Sequence, residues 1–587
     1  MTEEKVTRRS YMKYVGGVVV VAVVAAAGYG IYQATQPTAT PSPSPSPSPS
    51  PSPSPSPTPS PTADPYIQAA HDAADWVAGE TVLTPAQLKE ELEFFATASK
   101  PYRGTTLIVM YEAVPGAVWE EANLVPWFKK ITGIDVKLES MSNYDTILKS
   151  LEDARTKSAI YDLVGTDQDM NAFYIYNQSG LNITKFLKDK PELVPPHFDP
   201  EDFNCRWSYS DASGNLYALH AYNAFAGTVY RKDWFTDPTE QANFKKKYGY
   251  DLKTPMEWYR AAMASGNVKD DWTTDKAKDV AEFFTRPDKN MYGTVTGVRP
   301  GDHMGWYIAD GLDDCFQLAS PAPDNKWPLE ITHTEPNTTP WGIKITASPP
   351  MIYGASSTEG GTLDADQGKA CYKWWFEDCL KYTSKKAYEM DIVEAHNAFA
   401  FDGIYAFMCP FYFHWAAGTL PGKDSKVAGK FEFSPYFVYA PAYNLRKPRG
   451  YIDPSGWVIS NYSTKKEAAF LFASFMTSKL GELKKNMGLG LTVRQSTIND
   501  PRYQAMDKTW GGELTVIKEE GHSQFGTDNL QVLYPYLLPL ARDAGIDALQ
   551  KGMKGADIAK RVAGDIDKWI KDNGWYKKDL TVPGVFP

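Results

Sequence analysis

Two carboxylates, an amide and an indole stand just after short apolar runs near the start of the folded part of this chain. Glu112 and Trp119 follow Thr105–Tyr111, and Asp167 and Gln168 follow Tyr161–Gly165. Such groups suit two chemistries. Polar side chains bond the hydroxyls of a hydroxyl-rich molecule while an aromatic face covers its apolar side. Two facing carboxylates, here Glu112 and Asp167, also suit glycosidic hydrolysis, the pattern of a secreted glycoside hydrolase. Other catalytic signatures are missing: there is no HExxH, GxSxG, Walker A or GxGxxG. The eight histidines form no pair at short helical spacing, and Asp310, Asp313 and Asp314 lack the remainder of an EF-hand loop. No metal site and no cofactor is expected.

These residues need elements to hold them. Residues 66–98 read as helical, with Leu88, Leu92 and Phe95 at helical spacing. Thr105–Tyr111 is a strand of the buried type, and Val118–Thr132 is a helix closed by Gly133. Ile134–Leu138 alternates as a second strand, Tyr144–Ser158 is the next helix, and Tyr161–Gly165 is a third strand. Strands alternating with helices predict an α/β fold with a parallel sheet covered on both faces. Ligands on such sheets collect at the carboxyl ends of the strands, which gathers Glu112, Trp119, Asp167 and Gln168 around one crevice.

The body, roughly 520 of the 587 residues, is too long for one core, so two lobes are expected. Net charge is −10, which argues against a nucleic-acid partner. Aromatic content is high at 13%, with 17 Trp and 35 Tyr, enough to furnish a ligand cleft as well as a core. The five cysteines, Cys205, Cys315, Cys371, Cys379 and Cys409, show no CxxC spacing, and their pairing is not readable.

Ahead of the body, residues 1–13 carry Lys5, Arg8, Arg9 and Lys13, and an uncharged run extends from Tyr14 to Gln36. That run is long enough to cross a bilayer, and Thr7–Lys13 resembles a twin-arginine export signal. The expectation is a single retained anchor at 14–36, with 1–13 cytoplasmic and the body extracellular. Residues 37–63 are Pro-Ser and Pro-Thr repeats, a disordered stalk reaching roughly 80 Å in polyproline II geometry.

Five ordered blocks between about 105 and 501 carry a family resemblance. They are TTLIVMYEAVPGAVWEEANLVPWFKKITGIDVKLES, SYSDASGNLYALHAYNAFAGTVYRKDWF, TPMEWYRAAMA, NAFAFDGIYAFMCPFYFHW, and the stretch from SGWVISNYSTKKEAAFLF to VRQSTINDP. In order and spacing the body resembles the ABC-transporter extracellular solute-binding proteins of family 1, the maltose-binding-protein-like, sugar-binding class. The resemblance implies an α/β, two-lobed periplasmic-binding-protein-like fold of type II. It implies a helical lead-in at 64–100, a first lobe at 101–220 plus 405–460, and a second at 221–404 plus 461–580. It further implies capture of a sugar or oligosaccharide by hinge closure, delivery to permease subunits, and no catalysis. A peptide or polyol is the alternative solute. Departures fall where ligand is usually touched: Asp453-Pro454-Ser455-Gly456-Trp457 replaces paired glycines, and Val493-Arg494 stands where proline is frequent. On that resemblance the cleft residues are Trp119, Trp415 and Trp457, with Asp167, Gln168 and Asn223 as polar partners and Trp306, Asp453 and Arg494 as further candidates.

Overall fold

The structure, a computed structural model, describes residues 64–574 apart from 167, 204–205, 212, 300–330, 334–342, 346–355, 360–362, 391, 413–417, 440–450, 491 and 521–533. Where the apolar pattern predicts one helical stretch over 66–98, there are two helices, Pro65–Val77 and Pro85–Ala98. Proline suits the first turn of a helix, where its missing N–H has no intrahelical partner to lose. Accordingly Pro85 opens the second helix behind Thr84, whose hydroxyl and backbone form a reciprocal capping box with Gln87. The helix Pro115–Thr132 begins on a proline in the same way. It ends at Gly133, whose φ of 69° is the left-handed conformation that glycine adopts without penalty.

Eight strands form one sheet: β1 (Thr106–Glu112), β2 (Asp135–Met141), β3 (Leu163–Thr166), β4 (Ala218–Arg231), β5 (Tyr292–Thr294), β8 (Tyr405–Tyr412), β9 (Phe431–Ser434) and β10 (Tyr451–Ile459). Their order is β2-β1-β3-β10-β4-β8-β5, with β9 also on β4. The short strands β6 (Ile331–His333) and β7 (Ile343–Ile345) pair separately. The sheet is mixed rather than wholly parallel. β1 runs parallel to β2 and β3, and β5 to β8, but β10 is antiparallel to both β3 and β4.

That arrangement serves two hydrophobic cores. The first gathers Leu107, Val109, Phe128, Leu163, Trp457, Phe472 and Phe475; the second gathers Trp258, Trp272, Trp374, Phe407, Phe411 and Phe433. Among the described residues, β4 and β10 link them through the sheet. β4 gives Ala218, Leu219 and Ala221 to the first core and Phe225, Ala226, Val229 and Tyr230 to the second. β10 lies against it over Tyr451–Val458, with a register shift between Ser455 and Gly456. The cores divide the chain otherwise than the expected lobe boundaries. Residues 405–437, expected in the first lobe, build the second core through Tyr405, Phe407 and Phe433; residues 468–493, expected in the second, build the first core through Phe470, Phe472 and Phe475. The reason is the order of crossing. The chain returns to the first core along β10, so the helices directly after β10 pack there.

The segment 14–36, expected to anchor the chain, lies outside the described residues. Among those described, no helix is long and apolar enough to cross a membrane. The 18-residue helices Pro115–Thr132 and Gly555–Asp572 carry charges along their length, including Glu120, Glu121, Lys129 and Lys130 in the first. The expected localisation as an anchored membrane protein is corrected on this finding.

Candidate functional site

A narrow cleft lies where the crossing strands meet the carboxyl ends of β1 and β3. Its walls are Tyr111 and Glu112 from the end of β1, and Gly165 and Thr166 from the end of β3. Ala117 and Glu120 come from the first turns of the helix that follows β1, Ala221 and Tyr222 from β4, and Ser455, Gly456 and Trp457 from β10. Strand ends facing helix starts are where open α/β sheets place ligands, because the chain there is free to vary without unpacking the sheet.

Two glycines allow close packing around it. A Cβ on Gly165 would lie 3.0 Å from both the Trp457 ring and the Tyr111 Cβ, and one on Gly456 would lie 2.8 Å from the Tyr209 ring. The Tyr111 and Trp457 rings sit 5.5 Å apart, tilted by 30°, and Trp457 also meets the edge of Phe472. The Tyr111 hydroxyl, the Ser455 hydroxyl and the Trp457 indole N–H are all buried and without a hydrogen-bond partner. A buried polar group costs free energy unless paired, so three of them on residues that line one cleft are suited to a ligand rich in hydroxyls. Burial and the nearby Glu120 and Glu121 hold the Tyr111 phenol well above its ordinary pKa, so it is a neutral donor.

Behind the wall lies a buried ionic group. Lys485 places its ammonium 3.0 Å from Glu120 Oε1, 3.1 Å from the Ala221 carbonyl and 3.2 Å from Glu482 Oε2. Glu482 Oε1 accepts from the Thr492 hydroxyl at 2.9 Å and the Val493 amide at 2.7 Å. Desolvation raises the pKa of Glu120 against the opposing pull of Lys485. Desolvation acts to lower that of Lys485, but Glu482 and Glu120 outweigh it and hold the ammonium above its ordinary range.

The expected site residues fall in different places. Trp457 and Glu112 line the cleft. Trp119 does not: it is buried in the first core, 6.4 Å from Trp76, which in turn lies 6.0 Å from Trp127 at a tilt. Asn223 is fully buried on β4 opposite Pro454, its amide N–H reaching the Thr492 carbonyl at 3.4 Å and its Oδ1 unpartnered. Arg494 is wholly buried in the first core. It donates to the carbonyls of Thr477, Phe198 and Asp199 and lies 3.7 Å over the Phe203 ring, which makes it a brace between loops. Gln168 opens the helix Gln168–Tyr176, and Asp453 lies on β10 opposite Ala224. Asp167, Trp306 and Trp415 lie outside the described residues. Tyr111, Glu120, Tyr222 and Ser455 are cleft residues that sequence reasoning missed. Glu120 had a legible signal: it stands in the stripe Ala117, Glu120, Leu124, Phe128, Ile131, where the helical period calls for an apolar residue.

No family model matches the sequence, and no curated protein matches it. Solved structures do match. An ABC transporter solute-binding protein from Agrobacterium radiobacter, in complex with ribitol, is 20% identical with a TM-score of 0.59, over 80% of this chain and 100% of that one. A second, from Agrobacterium vitis with bound D-mannitol, is 17% identical with a TM-score of 0.55, over 80% and 99%. The maltose-bound MalE3 of T. maritima is 15% identical with a TM-score of 0.53, over 79% and 100%. The chain thus shares the two-lobed α/β fold of the ABC-transporter solute-binding proteins.

Proposed function

We propose that this chain is the solute-binding component of an ABC importer, capturing a sugar or polyol between its two lobes and delivering it to permease subunits. The observation that carries the reading is the cleft at the β4–β10 crossing, walled by unpartnered hydroxyl and indole donors beside the strands that connect the cores. Bending at the crossing strands lets the lobes close, and a solute that touches both selects the closed state. The ribitol, D-mannitol and maltose held by the matching structures support a polyhydroxylated solute. Trp457 is the aromatic wall of that site, with Asn223 at the hinge, and Gln168 and Asp453 occupy backbone positions near its rim.

The test is a thermal-shift screen of the purified protein against sugars, oligosaccharides, polyols and peptides, followed by analysis of the recovered solute. A true ligand at 100 times its Kd stabilises the native state by about 2.7 kcal/mol. A stabilising solute recovered intact supports transport. A cleaved one returns the protein to the glycoside hydrolases.

A further inference from the structure

The cleft has a charge pattern that its fold does not require. Glu112 and Glu120 line it, and among the described lining residues there is no Lys, Arg or His. The cation nearest by hydrogen bonding, Lys485, is committed: its three N–H groups face Glu120 Oε1, Glu482 Oε2 and the Ala221 carbonyl, all within 3.2 Å. Two of these contacts are hydrogen bonds and the third is an ion pair, and the Lys485 side chain is only 3% exposed, so its charge is spent inside the protein. Glu120 is itself 5% exposed, and Lys485 takes only its Oε1. The same carboxylate lines the cleft with Tyr111, Ser455 and Trp457, each of which has a buried donor without a partner.

We propose that Glu120 contacts the solute directly as a hydrogen-bond acceptor and makes the cleft selective for polyhydroxylated solutes that carry no acidic group, neutral or cationic. The inference rests on the proposed solute-binding function and sharpens its substrate class. A carboxylate accepts from hydroxyls or an ammonium and repels another carboxylate or a phosphate. In a partly desolvated cleft that repulsion is felt at several-fold its strength in water. Lys485 is a positioning residue. It opposes the desolvation that raises the Glu120 pKa and joins Glu120 to the hinge through the Ala221 carbonyl, so the group that reads the solute is fastened to the strand that bends.

The experiment measures binding of four matched probes by calorimetry at pH 7.5 to the full chain: D-sorbitol, D-gluconate, D-glucamine and D-glucose. The expected result is measurable binding of sorbitol or glucose, glucamine bound at least as tightly as sorbitol, and gluconate weaker by roughly ten-fold or more. Glu120→Gln is expected to shrink the gluconate penalty to about three-fold or less and to abolish any advantage of glucamine. Gluconate bound as well as sorbitol by the unaltered protein overturns the proposal, as does a penalty that persists undiminished in a folded Glu120→Gln protein. Should that variant not fold, the unaltered protein's ranking alone decides. Failure of every probe, together with every solute of the wider screen, overturns the solute-binding reading itself and this inference with it.

Discussion

Replacing Lys485 by Met leaves Glu120 and Glu482 facing each other in a space from which water is excluded. Both carboxylates are buried, at 5% and 1% exposure, and the Ala221 carbonyl loses a donor at the same time. Removing one partner of a buried ion pair costs about 3–5 kcal/mol, because the other charge is left uncompensated. With a guanidinium m-value of about 4 kcal/mol per molar, that is a fall of roughly 1 M in the midpoint of the transition that unfolds the first core. The pH dependence supplies an independent check. The Lys485 ammonium is held above its ordinary pKa and stays charged throughout the neutral range. Without it, the already raised pKa of Glu120 rises further. A carboxyl whose folded pKa is raised favours the native state below that pKa, and the benefit is lost as pH climbs through it. The deficit of Lys485→Met is therefore largest near pH 8 and shrinks toward pH 5. Chemical denaturation followed by Trp fluorescence at pH 5, 6.5 and 8 measures it. A deficit below about 1 kcal/mol, or one equal at all three pH values, would refute the electrostatic account. The double variant with Glu120→Gln is expected to recover part of the loss.

Packing and burial elsewhere set further expectations. Gly293→Ala drives a Cβ to 2.0 Å from the Ala281 carbonyl oxygen, so it destabilises the second core by about 3 kcal/mol and leaves solute affinity in the surviving folded protein unchanged, as melting and calorimetry will show. Glu513 is fully buried, neither of its oxygens has a hydrogen-bond partner, and burial with the nearby Asp507 pushes its pKa well up. The unaltered protein should therefore lose stability as pH rises above the ordinary carboxylate range, and Glu513→Gln should flatten that loss in melts from pH 5 to 9. Trp119→Ala costs about 3–5 kcal/mol through lost packing on Trp76 yet leaves solute affinity intact. Trp457→Phe keeps most of the ring contact but removes the indole N–H, and is read as weaker binding with little change in melting temperature.

Local structure was the most legible part of the sequence. The strand before Glu112, the helix closed by Gly133 and the two strands after it appear within a few residues of their expected places, because apolar period, proline and glycine act over short distances. The crevice at the strand ends was expected to gather Glu112, Trp119, Asp167 and Gln168, and of these Glu112 lines the pocket found there. The role of β10 was not. Nothing local distinguishes a strand that returns to the first core from one that stays in the second, and the residues on either side of it were expected in the opposite lobes. The helix Lys479–Leu489 was illegible for another reason. KLGELKKNMGL reads as a solvated helix, yet nearly all of it is buried, its charges matched by Glu120, Glu80 and one another. Trp119 misled in the opposite sense, since an indole near a strand end serves a core as readily as a cleft.

The return along β10 also sets a timetable for synthesis. Phe128 leaves the ribosome early, but the aromatic rings it packs against, Phe472 and Phe475, come about 350 residues later. At about 5–20 residues per second that interval is roughly 20 to 70 s. Throughout it the first lobe is an unfinished surface of Val, Leu and Phe, while most of the second core, from Phe225 to Phe437, emerges in unbroken succession. The nascent chain is therefore born with its later lobe able to fold first and its earlier lobe exposed to wrong partners, which makes it a natural client for the chaperones that shield apolar surface during translation.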